Sequence, residues 1–180
     1  TLIFAPKESS FYSPEHQTTV TNFPLQNKYC GEFRPGHFDG VLTVVAKLLF
    51  AGMPDESFFG KKDYQQLYLI KKMVKDLNIP VKVFGLPTKR ERSGLALSSR
   101  NEYLSVNQQG QAALMYKVLN QIKKGIKNGE NWSLLRQEGI KLMKKNGFSE
   151  VQYLEYVSRD HLLPFPVEKP NQSSVSSTQS

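Results

Sequence analysis

Phe59-Gly60-Lys61-Lys62-Asp63-Tyr64-Gln65-Gln66 decides how this chain is read. Ser57-Phe58-Phe59 predicts a short apolar strand, and Gly60 ends it. Leu67, Ile70, Val74 and Leu77 then recur at helical spacing over about residues 63–77. A strand that gives way to a helix at glycine leaves backbone N–H groups and the positive end of the helix dipole at the turn. Lys61 and Lys62 add charge of the same sign, which suits phosphate. A second cationic stretch, Gly94-Leu95-Ala96-Leu97-Ser98-Ser99-Arg100-Asn101, follows about thirty residues later. Together the two loops suggest chemistry on a nucleoside triphosphate, gripped from two sides.

Towards the N-terminus, Leu2-Ile3-Phe4-Ala5 reads as a buried strand closed by Pro6, and Thr18–Phe23 is β-rich. Arg34-Pro35-Gly36-His37 is a turn, and Val41, Val44, Val45, Leu48 and Leu49 predict a helix over about residues 38–51. Beyond the quoted stretch, Val81, Val83 and Phe84 form a strand leading to Leu86-Pro87. Strand and helix alternate through residue 86, the pattern of a parallel α/β sheet. Such sheets bind ligands beyond the carboxyl ends of their strands, where Gly60 and Pro87 both fall.

After Arg100 the pattern changes. Ser105-Val106-Asn107-Gln108 reads as a capping box, opening a helix to about residue 127. A second helix over about 132–146 follows the break at Gly129-Glu130-Asn131, and Val151–Val157 reads as a strand. A stretch with Pro164, Pro166 and Pro170 leads into a Ser/Gln-rich end expected to be disordered. The expected organisation is therefore 1–87 as part of an α/β domain, 88–168 as a smaller α+β domain, and 169–180 as a tail.

The 180 residues carry a net charge of +8, unevenly spread. Residues 71–145 hold 16 Lys/Arg against 5 Asp/Glu, while the flanking segments are slightly acidic. Most of these lysines (Lys117, Lys123, Lys124, Lys127, Lys141, Lys144, Lys145) fall on expected helix surfaces, so solvated faces are favoured over nucleic-acid binding. The basic residues are also not interleaved with stacking aromatics. No long apolar run predicts a membrane span, and the first residues lack a signal-peptide pattern. The single cysteine, Cys30, excludes an internal disulfide framework and fits a reducing, cytoplasmic setting.

Three motifs in order carry a specific resemblance. Arg34-Pro35-Gly36-His37-Phe38-Asp39-Gly40-Val41, Phe59-Gly60-Lys61-Lys62-Asp63-Tyr64-Gln65-Gln66-Leu67 and Gly94-Leu95-Ala96-Leu97-Ser98-Ser99-Arg100-Asn101-Glu102-Tyr103-Leu104 resemble the pantothenate synthetase (pantoate–β-alanine ligase) family, colinearly from Leu2 to about Asp160. The resemblance implies a Rossmann-like nucleotidyltransferase sheet, present in part, followed by the smaller domain. It implies condensation of pantoate with β-alanine, driven by ATP with Mg²⁺ through a pantoyl adenylate, in a cytoplasmic homodimer. Lys62 is the implied catalytic residue, neutralising charge as one anion attacks another. Gly60, Lys61, Lys62, Asp63, Lys89, Leu97, Ser98, Ser99 and Arg100 are the implied ATP contacts. Gln66 is the implied pantoate contact, a neutral amide that does not repel a carboxylate. No metal-ligating residue is assigned.

Other roles are structural expectations. Lys61 is expected to be solvated rather than catalytic, Gln65 to face solvent or an interface, and Asp63 to cap its helix or touch the ribose. His37 is expected to serve structure, and Tyr64, Tyr68 and Met73 to pack. The chain also departs from the family pattern. Lys61 and Ser93 stand where acidic residues are usual, and no His-x-Gly-His segment occurs in residues 1–180. The expectation is an internal fragment or degraded copy with little turnover by itself. The text after about Pro164 no longer follows the family. Another adenylate-forming nucleotidyltransferase and a non-catalytic remnant are the competing readings, behind which stands a basic nucleic-acid-binding module.

Overall fold

The computed structural model describes residues 3–23 and 25–165. The chain divides into two compact units, Thr1–Pro87 and Thr88–Ser180.

In the first unit, β1 (Glu56–Gly60) and β2 (Lys82–Leu86) pair in parallel, the only sheet among the described residues. The register sets Phe58 against Phe84 and Gly60 against Leu86. A parallel pair needs a crossover, and here it is the helix α3 (Tyr64–Asp76), as the sequence spacing predicts. The helix reaches the sheet closely because Gly85 carries no side chain. A Cβ there would stand 2.6 Å from Leu67 Cδ2 and 3.1 Å from Lys61 Cε. The helix α2 (His37–Gly52) packs on α3, enclosing Leu42, Ala46, Leu49, Leu67, Leu69, Ile70 and Met73. Fully burying each leucine or isoleucine contributes about 1.5–3 kcal/mol over leaving it exposed. Phe58 and Phe84 stack at 5.4 Å on a surface where both rings remain half exposed.

Two expected strands of this unit do not form. Ile3–Lys7 has no strand partner among the described residues, and Ile3 and Phe4 are exposed; Leu2 lies outside those residues. Thr18–Phe23 is held by side chains rather than by a ladder. Val20 N donates to Thr43 Oγ1 at 2.9 Å, and Thr21 Oγ1 donates to Asp39 Oδ1 at 2.7 Å, both acceptors on α2. Val20 thus satisfies its backbone N–H against a helix, with no neighbouring strand among the described residues.

In the second unit, α4 (Val106–Lys127) and α5 (Trp132–Lys145) enclose Val118, Ile122, Leu135, Met143 and Leu154. The capping box forms as expected: Ser105 Oγ accepts from Gln108 N at 3.3 Å, and Gln108 Oε1 accepts from Ser105 N at 2.8 Å. Asn131 caps α5 by accepting from Ser133 N and Leu134 N. The strand expected at Val151–Val157 is instead an extended segment with one isolated bridge, Val157 to Pro164. Arg136 takes the place of a partner strand, donating from Nε to Leu154 O at 2.8 Å and pairing with Glu155 at 3.1 Å. The Ser/Gln-rich end lies outside the described residues. No described helix is long and apolar enough to cross a membrane.

Candidate functional site

The residues implied to bind nucleotide fall in both units, and each set is local. In the first unit, β1 delivers the chain to Gly60 at its carboxyl end. Lys61–Asp63 then make one 3₁₀ turn, and α3 starts at Tyr64. Neither the turn nor the helix has a side-chain cap, so Asp63 does not cap α3. Its carboxylate is instead 3.4 Å from Lys62 Nζ, with both groups open to solvent. An exposed pair of this kind holds with about 0–1 kcal/mol, so an arriving phosphate can displace the carboxylate. Gly60 has ordinary extended backbone (φ −74°, ψ 136°), and the space where a Cβ would stand is open. The expected close approach is therefore available to a ligand and is not demanded by the fold. Lys61 lays its stem over Gly85 with its head exposed.

Gln65 and Gln66 are neighbours with different tasks. Gln65 does not face solvent or an interface, contrary to expectation. Its Nε2 donates to Leu25 O (3.0 Å) and Lys28 O (2.8 Å), and its Oε1 accepts from Cys30 N (3.2 Å). It pins the Leu25–Gly31 segment to the first turn of α3. An amide supplies the donors and the acceptor that these three backbone groups need, which no pattern in the sequence reveals across 35–40 positions. Gln66 is half-buried, and its amide has no such partner among the described residues. Gln65→Ala removes the acceptor of the Cys30 amide, while Leu25 O and Lys28 O keep their bonds from Lys28 N and Gly31 N. We expect a loss of about 1–3 kcal/mol in urea unfolding and faster exchange of the Cys30 amide proton.

In the second unit, Lys89–Leu97 is a small hairpin. Leu97 N donates to Lys89 O at 3.0 Å, Glu91 N donates to Leu95 O at 2.8 Å, and Arg90 bridges Ala96. The Lys89 carbonyl is thus engaged within the loop. Ser98 then caps the 3₁₀ turn Ser99–Tyr103, its Oγ accepting from Arg100 N at 3.3 Å. Of the two hydroxyls expected on phosphate, Ser98 also has this structural role, whereas Ser99 and Arg100 are exposed. Ser93 supplies a local bond, its Oγ accepting from Leu95 N at 3.2 Å. His37 opens α2 with its ring beside Phe38. No group of three or more potential metal ligands occurs among the described residues.

A parallel strand pair whose carboxyl end opens on an uncapped, lysine-bearing helix start makes the first unit an α/β fold with a ligand-accessible strand end. Comparison with known proteins narrows the class. The family model for pantoate–β-alanine ligase matches residues 1–178, and the chain belongs to that family. It is 50% identical over 129 residues to the pantothenate synthetase of Trichlorobacter lovleyi, covering 72% of this chain and 46% of the relative. It is 43% identical over 175 residues to that of Sulfurihydrogenibium, covering 96% and 62%. The crystal structure of pantothenate synthetase from Thermus thermophilus superposes with a TM-score of 0.84 at 39% identity, over 90% of this chain and 59% of that one. The Francisella tularensis pantoate-β-alanine ligase, crystallised with a β,γ-ATP compound and β-alanine, gives 0.66 at 37% identity, over 78% and 51%. The chain spans about half the length of the curated relatives it matches.

Proposed function

We propose that this chain serves the ATP-dependent joining of pantoate to β-alanine. A carboxylate oxygen of pantoate attacks the α-phosphorus, and the bond to the departing pyrophosphate breaks. The amine of β-alanine then attacks the acyl carbon, loses a proton, and releases AMP. Attack of one anion on another requires positive charge fixed beside the phosphorus. Lys62 supplies that charge, the open flank of Gly60 admits the nucleotide, and Ser98, Ser99 and Arg100 offer hydroxyls and a guanidinium to phosphate oxygens. Asp63, Lys89 and Leu97 complete the nucleotide contacts, Lys61 adds to them through its backbone alone, and Gln66 hydrogen-bonds pantoate. Mg²⁺ carried by the ATP phosphates would neutralise part of their charge, and none of these residues is assigned to hold it. Residues 1–87 are the nucleotide-binding part and 88–168 the second domain of a cytoplasmic homodimer.

The observation that carries this reading is the succession Gly60 at the end of a parallel strand, Lys62 in the 3₁₀ turn and Gln66 in the first turn of α3, in a chain of this family. Titration calorimetry of the chain with MgATP, MgADP and AMP tests it. Affinity should fall in that order, and Gln66→Ala should weaken pantoate while sparing ATP. Equal affinity for ATP and AMP in a chain that circular dichroism shows to be folded would overturn the reading.

A further inference from the structure

The hairpin that precedes the Ser98–Arg100 loop is braced in a way the nucleotide reading does not use. Arg90 places its guanidinium 3.9 Å from the ring centroid of Tyr116 on α4 and donates from Nη1 to Gly94 O at 3.1 Å. Its recorded partners are thus a ring face and a carbonyl, both neutral. Gly94 lies against the same ring at φ +94°, and a Cβ there would stand 2.8 Å from Tyr116 Cδ1. The hairpin's own bond, Leu97 N to Lys89 O, transmits this anchorage to the residue before Ser98. Beyond the loop, Asn101 Nδ2 donates to Ala96 O at 3.0 Å. Gln109 Nε2 of α4 donates to Asn101 O (3.3 Å) and Leu104 O (3.2 Å).

We propose that Arg90 and Tyr116 are positioning residues: a guanidinium–ring strut that locks the Lys89–Leu97 hairpin on α4 and so presents Ser98, Ser99 and Arg100 in a fixed arrangement to a triphosphate. This rests on the nucleotide reading for its ligand, but not for its geometry. A planar guanidinium stacks and forks where an ammonium cannot, so Arg90→Lys keeps the charge and loses the strut. The loop is then no longer pre-ordered, and its contribution to binding falls.

The test pairs hydrogen exchange with calorimetry on the whole chain, using MgATP and AMP as probes. Arg90→Lys and Tyr116→Leu should speed exchange of the Leu97, Arg100 and Asn101 amides by about tenfold or more. They should weaken MgATP about five- to tenfold while moving AMP less than about twofold. Tyr116→Phe, which keeps the ring, should match the parent in both. Unchanged exchange in Arg90→Lys, or an equal loss in Tyr116→Phe, would overturn the strut. If Tyr116→Leu fails to fold, Arg90→Lys against Tyr116→Phe still decides. Failure of the parent chain to prefer ATP over AMP would sink the nucleotide reading alone, because the exchange arm needs no ligand.

Discussion

Lys62→Ala is expected to weaken MgATP binding by about 10- to 100-fold with little change in folded stability. The two halves of that expectation have separate causes. A charge-assisted bond to phosphate is worth about 1.5–3 kcal/mol when its donor is held in place, and the 3₁₀ turn between β1 and α3 holds Lys62. The stabilising side is small because, among the described residues, Lys62 pairs only with Asp63, at 3.4 Å, with the two side chains 40% and 60% exposed. Such pairs contribute about 0–1 kcal/mol. Calorimetry and thermal unfolding on the same variant check both. Lys61→Glu is the contrasting substitution. It changes local charge by two units, yet the side chain runs over Gly85 and its head is in solvent. It should cost less than about threefold in MgATP affinity at physiological salt. A tenfold loss there, or none in Lys62→Ala, would mean that bulk charge rather than a placed lysine attracts the nucleotide.

What the sequence made legible follows from the range of the interactions involved. The helices at Val41–Leu49 and Leu67–Leu77, and the pair after Ser105, announce themselves through apolar spacing within a few turns. Ser105–Gln108 and the Gly129–Asn131 break are equally local. The expected strands at residues 2–5, 18–23 and 151–157 carry the right residue types, but a strand is defined by a partner. Thr43 and Asp39 serve the second, and Arg136 serves the third. Short motifs located the candidate site, because Gly60–Gln66 and Ser98–Arg100 are each contiguous. Its supports were invisible for the opposite reason. Gln65 reaches back 35–40 residues to its backbone partners, and Tyr116 meets Arg90 across 26 positions. Arg90 could not be told from Arg100 by residue type; its ring partner, Tyr116, separates them.

Glycine gives the second large expectation, since the residue most conspicuous in the sequence is not the one the fold needs. Gly31→Ala should destabilise the first unit by about 3 kcal/mol or more, whereas Gly60→Ala should leave stability within about 0.5 kcal/mol. At Gly31, which is buried, a Cβ would overlap the carbonyl oxygen of Gln26 and stand 3.2 Å from Phe38 Cδ2. The first neighbour is backbone, so no rotamer change relieves the clash. The segment itself cannot drift, because Gln65 holds Leu25, Lys28 and Cys30. The strain must therefore go into breaking that clamp or into separating the segment from α2. Gly60 has neither constraint: its φ is −74° and its nearest neighbour to a Cβ, Lys62 N, is 4.0 Å away. Alanine fits the free protein there, so any penalty must arise when a nucleotide lies against the turn. Urea unfolding should then rank Gly31→Ala far below Gly60→Ala, and MgATP titration of the two folded proteins should single out Gly60→Ala. If Gly60→Ala binds MgATP as the parent does, the open flank at the end of β1 is not where the nucleotide lies. If Gly31→Ala is as stable as the parent, the Leu25–Gly31 segment is not fixed on α3 by Gln65 at all.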